Sequence, residues 1–214
     1  MNHTFYLFKT NEIPKGESGE LLGTKFSSIN SCEACGVPVK PIEPFFFKKP
    51  PKNKVFFVTN DGDMFFLSDY FKELSQFTGF KAIKAIDYTT EKWEGFIYLL
   101  PNEYFPKIDI EKSSGVSIKN ICQSCKKSGF FDKITFDPIK KIGCPEEKKF
   151  FFNSNTNELK SDIYYSYEHY GVSNLNNYKG NVIRYARPYY IISERLMKYF
   201  TEKLPEKFFF ENFL

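Results

Sequence analysis

The chain has 214 residues, of which 42% are hydrophobic and 26% are charged, a composition typical of a globular protein that excludes wholesale disorder. Its 30 basic and 26 acidic residues give a net charge of +4, and only three of the basic residues are arginines. Because recognition of phosphates and base edges relies on arginine, nucleic acid is not indicated as a partner. The sequence lacks a signal peptide and any run near the roughly 18 apolar residues of a membrane span. We therefore expect a soluble cytoplasmic protein with no membrane partner.

Apolar segments separated by turns predict β-strands throughout the chain. The candidates are FYLFK near the start, PFFFKK (44–49), KVFFVT (54–59), GFIYLL (95–100), KITFDPI (133–139), KKFFFN (148–153), DIYYSY (162–167) and NVIRYA (181–186). The segments KNK and NDGD supply turns between early strands. Because short turns join antiparallel neighbours, the pattern predicts an α+β fold with mostly antiparallel sheet and few helices.

Two segments predict helices, SDYFKELSQF (68–77) and SERLMKYFTEKL (193–204). Each begins with serine followed by an acidic residue, which caps the free N–H groups of a helix and complements its dipole. Apolar residues recur at helical spacing in both segments, which predicts one buried face for each helix.

The two predicted helices belong to a repeated pattern. MFFLSDYFKELSQFTGFKAI and YYIISERLMKYFTEKLPEKFFF share an apolar strand, a Ser-acid cap, an amphipathic helix, a turn and a second apolar segment. Two interpretations remain open: two related halves (about 1–110 and 111–214) within a single domain, or one local solution adopted twice.

Four of the five cysteines form two CxxC pairs, Cys32–Cys35 and Cys122–Cys125, separated by the 86 residues 36–121. Each pair lies in a loop-like setting, in SCEACGVP and NICQSCKKSG. Two such knuckles supply four thiolates, the ligand set of tetrahedral Zn²⁺ at Zn–S distances of about 2.3 Å. We therefore predict a structural zinc bound by these four cysteines, which would join distant segments of the chain.

Other interpretations of the cysteines are disulfides in an exported protein or unliganded thiols. A thioredoxin-type redox pair would start a helix, and Pro38 and Pro41 argue against a helix after Cys35. Cys144 could be a nucleophile, but with His3 and His169 as the only imidazoles we expect a core thiol.

Residues 161–180, SDIYYSYEHYGVSNLNNYKG, are rich in Tyr, Ser, Asn and Gly, the types that dominate adaptable protein-binding surfaces. A partner-binding surface would use the exposed members of the set Tyr164, Tyr165, Tyr167 and Tyr170, with Tyr165 and Tyr167 on one strand face and Tyr164 on the other. The alternative is a strand followed by a polar loop, with His169 as a surface histidine.

CEACG followed by CQSCK, in a chain that closes with YYIISERLMKYF and FFFENF, resembles the double-CxxCG immunity proteins of bacterial toxin–immunity systems. The resemblance covers both knuckles and about the last 30 residues, and Lys126 stands where the second glycine of the motif would be. It implies a protein that is not an enzyme, takes no small-molecule substrate, and binds and neutralises one cognate toxin domain.

A zinc-ribbon protein with a nucleic-acid-binding or regulatory role is the alternative, because Lys126, Lys127, Lys140 and Lys141 follow the second knuckle. Against it stand the nearly balanced charge and the absence of arginine near either knuckle. Catalysis is less well supported, since four thiolates close the coordination sphere of zinc and no common catalytic motif is present.

Overall fold

The computed structural model describes residues 4–27, 29, 31–37, 40–48, 54–153, 158–172, 176–178, 181–183 and 186–214. Sheet I consists, in spatial order, of β2 (Glu17–Ser18), β5 (Phe45–Lys48), β8 (Phe80–Asp87), β9 (Phe96–Pro101), β7 (Met64–Leu67) and β6 (Phe56–Val58). Sheet II consists of β10 (Val116–Ile118), β11 (Phe130–Asp132), β14 (Ile163–Tyr170), β17 (Arg187–Ser193), β1 (Phe5–Thr10) and β18 (Phe208–Asn212). Three two-stranded ribbons pair β3 (Phe26–Ser27) with β4 (Lys40–Pro41), β12 (Ile134–Asp137) with β13 (Ile142–Pro145), and β15 (Asn176–Tyr178) with β16 (Asn181–Ile183).

The two large sheets share one pairing pattern. Counted from β2 in sheet I, the successive pairs are antiparallel, parallel and then antiparallel three times. Counted from β10 in sheet II, the order is the same. The expected sheet-rich, mostly antiparallel fold is therefore confirmed. The division into related halves stays a prediction, and β1, from the start of the chain, completes the sheet built from the second half.

One predicted strand is wrong. Residues 148–153 form no strand, and only Lys149 and Phe152 make isolated bridges, to Ser114 and Ile108. The segment lies across the outer face of sheet II, where Phe150 and Phe152 pack against the second core without a continuous ladder. The other predicted strands are present. Residues 184–185 of the strand predicted at 181–186, and residues 52–53 of the predicted KNK turn, lie outside the described residues.

The C-terminal helix is confirmed as α1 (Glu194–Lys203), and the Ser193 hydroxyl accepts a hydrogen bond from the Leu196 N–H as its cap. It connects β17 to β18, which lie on either side of the antiparallel strand β1. The other copy of the sequence repeat connects β7 to β8 across β9. These connections occupy different positions in their sheets, and the choice between two related halves and one local solution adopted twice stays open.

The helix predicted at 68–77 is wrong as an α-helix. The segment begins with a turn and continues as a 3-10 helix, Lys72–Gln76, without a side-chain cap. Its buried residues Phe71, Leu74 and Phe77 recur every three positions. That spacing matches the three-residue turn of a 3-10 helix, which places all three on one side.

Sheet II is covered on both faces. The main core fills the space between the sheets and α1 with aromatic residues such as Phe8, Phe65 and Phe200. A second core on the opposite face of sheet II contains Phe105 and Tyr164. Strand β14, in the middle of sheet II, is therefore buried on both faces, as nearly continuous burial along it shows.

A buried polar network joins the two sheets. Arg187 in β17 pairs with Glu20 beside β2 at 3.2 Å. Asp63, before β7, accepts a 2.7 Å hydrogen bond from the Ser18 hydroxyl. Burial raises the pKa of Asp63 to about 6, although Arg187 and Ser18 oppose the shift.

We predict that Asp63 makes the stability of the protein dependent on pH. Its pKa of about 6 in the folded state exceeds the ordinary 3.8, so the folded state holds the proton more tightly. The contribution of Asp63 to the free energy of unfolding is therefore fully present below about pH 4 and is lost as the pH rises through 6. The free energy of unfolding is measured for wild type and for the Asp63→Asn variant. Relative to the variant, wild type should lose roughly 3 kcal/mol of stability between about pH 4 and 7. A difference that does not change with pH would contradict this role.

Candidate metal centre

The two CxxC knuckles occupy equivalent positions in the two sheets. The first lies in the connection from β2 to β5, and the second lies in the connection from β10 to β11. In each sheet the knuckle therefore lies in the connection from the edge strand to the first strand of the parallel pair.

The structure brings the four predicted ligand atoms together. The sulfur atoms of Cys32, Cys35, Cys122 and Cys125 all lie within 4.8 Å of one another, and all four cysteines are free thiols. Across the knuckles, Cys32 Sγ lies 3.8 Å from Cys122 Sγ, and Cys35 Sγ lies 3.5 Å from Cys125 Sγ. Four sulfurs at about 2.3 Å from a tetrahedral ion would lie about 3.8 Å apart. The cluster therefore fits a metal ion, and it contains no disulfide.

Both knuckles have the same backbone turn. The Gly36 N–H donates to the Cys32 carbonyl at 2.7 Å, and the Lys126 N–H donates to the Cys122 carbonyl at 3.0 Å. The residue after the second cysteine is left-handed in each, with φ of 73° at Gly36 and 58° at Lys126. This conformation explains a glycine after the CxxC pair, and Lys126 adopts it despite its side chain.

Gly129 closes the second knuckle. Its φ is 95°, and a Cβ at this position would lie 2.5 Å from the Lys119 carbonyl oxygen and 2.6 Å from Ile121 Cα. The Gly129 carbonyl also accepts from the Lys119 N–H at 2.8 Å. The tight approach requires a glycine, as the turn expected there suggests.

The electrostatics of the cluster favour a bound cation. Burial raises the pKa of Cys35 and Cys125. Burial also acts on Cys122, but the N–H groups of Cys125 and Ser124 stabilise its thiolate and lower its pKa to about 6. The cluster thus holds thiolate charge beside thiols that resist ionisation, and a divalent cation would compensate that charge.

A small cluster of buried apolar residues packs against the thiols. Cys35 and Val37 of the first knuckle pack with Ala186, just before β17, and all three are buried. The remaining three cysteines of the cluster are partly buried at its edge. The metal centre is therefore attached to the long central strands of sheet II.

Two expectations for single residues are wrong. His169 is not a surface histidine: it is 2% exposed within β14, and burial lowers its pKa to about 4. Cys144 is not a core thiol, since it lies in strand β13 of an exposed hairpin and is only partly buried. Neither residue belongs to the thiol cluster.

The expected exposure of the tyrosine set is also wrong for three of its four members. Tyr164 and Tyr165 are 1% and 3% exposed, and Tyr170 is buried as well. The Tyr165 hydroxyl lies 2.9 Å from the Tyr98 hydroxyl of sheet I, inside the core. Because β14 is buried on both faces, the alternation of side chains exposes neither set. Tyr167 is partly buried, and its role in partner binding stays a prediction. Residues 173–175 and 179–180 of the Tyr-rich stretch lie outside the described residues.

Sequence reasoning missed the buried polar network around Asp63 and the exposure of the β12–β13 hairpin. The NDGD segment has the composition of a turn, and the interaction of its last residue, Asp63, with Arg187 spans 124 positions of sequence. The hairpin carries a strand-like alternation, but the sequence does not show whether its apolar face is covered.

Comparisons with protein-family models, curated proteins and solved structures find no match for this chain. Among the described residues, no helix has the length and apolar character needed to cross a bilayer.

We predict that the four clustered thiols take up one metal ion per chain. Cys122→Ser should abolish tight uptake of Co²⁺, measured by the thiolate-to-metal absorption band, and should lower the melting temperature, because metal-binding energy is also folding energy. Cys144→Ser is the matched control and should leave both unchanged. Equal Co²⁺ uptake by the two variants would contradict the site.

We predict that the backbone at Lys126 is strained by its left-handed conformation. Lys126→Gly should leave metal uptake intact and raise the free energy of unfolding by up to about 1 kcal/mol, because a side chain costs roughly 1–2 kcal/mol there and the added freedom of unfolded glycine offsets only part. Lys126→Val should destabilise the protein. Denaturant titration checks both, and a valine variant as stable as the glycine variant would refute the strain.

Proposed function

We propose that this protein is an immunity protein that binds and neutralises a cognate bacterial toxin domain, and that its four-cysteine cluster holds a structural zinc ion. The observation that carries the proposal is the meeting of the two CxxC knuckles in one four-thiol cluster. This is the motif on which the resemblance to double-CxxCG immunity proteins rests.

The donor set supports zinc and a structural role. Four thiolates are the ligands of closed tetrahedral zinc sites, whereas catalytic zinc keeps a position open for water or substrate. Cys32, Cys35, Cys122 and Cys125 would hold the ion, which would supply binding energy that stabilises the folded chain.

Two carboxyl groups have a raised pKa, and their surroundings support a binding protein rather than an enzyme. Burial raises the pKa of Glu168 as well as that of Asp63 to about 6, a common property of catalytic acids and bases. The cavity that Asp63 lines has a volume of about 20 Å³, room for about one water molecule and not for a substrate. Glu168 is 1% exposed and accepts a hydrogen bond from the Ile108 N–H, a structural contact.

A nucleic-acid-binding role is the second candidate, because residues 119–149 around and after the second knuckle are basic. They contain eight lysines and four acidic residues, so the net charge of this segment equals the +4 of the whole chain. However, the most exposed apolar side chains there are mainly isoleucines, which cannot stack on bases as aromatic residues do.

The proposal is tested with the toxic domain encoded beside this gene in its source genome. Coexpression with the wild-type protein should restore growth, and the purified proteins should form a complex whose immunity partner contains one zinc per chain by elemental analysis. The Cys122→Ser variant should protect poorly because less of it is folded, and Cys144→Ser should protect fully. Protection without a complex, or a folded protein without zinc, would contradict the corresponding part of the proposal. Tight, salt-dependent binding of nucleic acid in place of the toxin domain would favour the second candidate.

A further inference from the structure

The hairpin formed by β12 and β13 exposes an unusual amount of apolar surface. Ile134 and Phe136 are 57% and 68% exposed, Ile139 at the turn is 91% exposed, and Ile142 is 52% exposed. Ile134 and Phe136 share one face of β12, and Ile134 packs closely over Gly143 of the other strand. Ile134 and Phe136 therefore form an exposed apolar surface on one face of the hairpin, and Ile139 lies beyond it at the turn. Ile142 pairs with Asp137 and lies on the other face.

The hairpin is firmly anchored at its base. The Lys133 N–H donates to the Gly115 carbonyl, and the Glu146 N–H donates to the Lys133 carbonyl. Lys133 and Glu146 also form a 2.7 Å ion pair. Gly115 permits the backbone around residues 147–148 to approach so closely that a Cβ would lie 2.7 Å from the Glu147 carbonyl oxygen. The hairpin therefore extends from sheet II in a defined direction.

Beyond its base the hairpin is a two-stranded sheet with two open edges among the described residues. An isolated two-stranded hairpin is marginally stable in water, and exposed apolar edge strands normally carry protection. Pro145 lacks an N–H and blunts the β13 edge. On β12, the Lys133 carbonyl points toward β13, because it accepts the Glu146 N–H. Backbone groups alternate sides along a strand, so the N–H and C=O groups of Ile134 and Phe136 point away from β13, toward the open edge.

The charge around the hairpin indicates the chemistry of what covers it. The segment 119–149 that contains it carries the net positive charge of the chain. Lys140 pairs with Asp137 at 3.9 Å, whereas Lys141 beside it has no ionic partner among the described residues. The hairpin itself, residues 133–146, contains three lysines and two acidic residues, and this small positive charge, with Lys141 at the turn, would attract an acidic surface.

We propose that the β12–β13 hairpin is the surface that docks on the toxin domain, with β12 pairing to an extended strand at the rim of an acidic, apolar-centred groove of that partner. This inference rests on the proposed function. A lipid surface would leave the outward N–H and C=O groups of β12 without partners, whereas a protein strand satisfies them. Phe136 and Ile139 act as apolar anchors, and Lys141 contributes to the rate of encounter.

The test compares the Phe136→Ser/Ile139→Ser double variant with an Ile13→Ser control, which changes a 75% exposed isoleucine outside the hairpin. Binding of the purified toxin domain should weaken by about tenfold or more in the double variant, with unchanged metal content and melting temperature, and should be unaffected in the control. Lys141→Glu should slow association, most strongly at low salt. Hydrogen exchange of wild type should show protection of the Ile134 and Phe136 amides only in the complex.

The outcomes separate this inference from the proposed function. If the wild-type protein and the folded double variant bind the toxin domain equally, the hairpin proposal is overturned and the immunity function stands. If the wild-type protein does not bind the toxin domain, the immunity function fails and the docking proposal fails with it. Two other results would also overturn the proposal by assigning the hairpin to another occupant. One is concentration-dependent self-association that the double variant alone loses. The other is binding to vesicles of phosphatidylcholine and phosphatidylserine that the double variant alone loses.

Discussion

The meeting of four sulfur atoms at one point constrains the arrangement of the whole chain. The sulfurs come from loops 90 positions apart in sequence, and each loop leads from the edge strand of its sheet to the first strand of the parallel pair. Four thiols that approach this closely lose hydration and, once ionised, repel one another, so without a cation the cluster destabilises the folded chain. A bound cation would make the cluster a stabilising contact. The relative position of the two sheets at this end therefore depends on the state of the thiols. The aromatic core and the network around Arg187 hold the sheets together elsewhere.

The two-sided burial of sheet II explains why composition was a poor guide to the partner surface. Tyrosine, serine and asparagine are typical of binding surfaces, but the same residues suit a central strand whose hydroxyls find partners inside the core. Tyr165 pairs with the hydroxyl of Tyr98, and Tyr190 donates to the Leu99 carbonyl across the sheets. The apolar body of each ring fills the core while its hydroxyl is satisfied. Tyr165 of β14 and Tyr190 of β17 therefore connect the sheets.

The apolar residues that the fold leaves outside lie close in sequence to the metal centre. Strand β11 follows the second knuckle directly and leads into the hairpin, so it connects the thiol cluster to the exposed apolar surface. The parallel contact of β11 with β14 and the close packing at Gly115 hold this connection in place. A metal ion at the knuckles would thus help to hold the segment that leads into the hairpin.

The sequence by itself determined the features that depend on local spacing: the alternating strands, the cap and apolar face of α1, and the two knuckles, each with two residues between its cysteines. The convergence of the knuckles could be inferred because the chemistry of four thiolates demands it. Only the tertiary structure decided which faces are covered. The apolar spacing at 68–77 suits either an α-helix or a 3-10 helix, and packing selected the latter. Likewise β14 and β12 both carry apolar and aromatic residues in alternation, yet β14 is enclosed between two cores and β12 faces solvent. Burial depends on contacts between segments distant in sequence, such as Phe5 with Tyr164 and Tyr98 with Tyr165, and no local pattern contains that information.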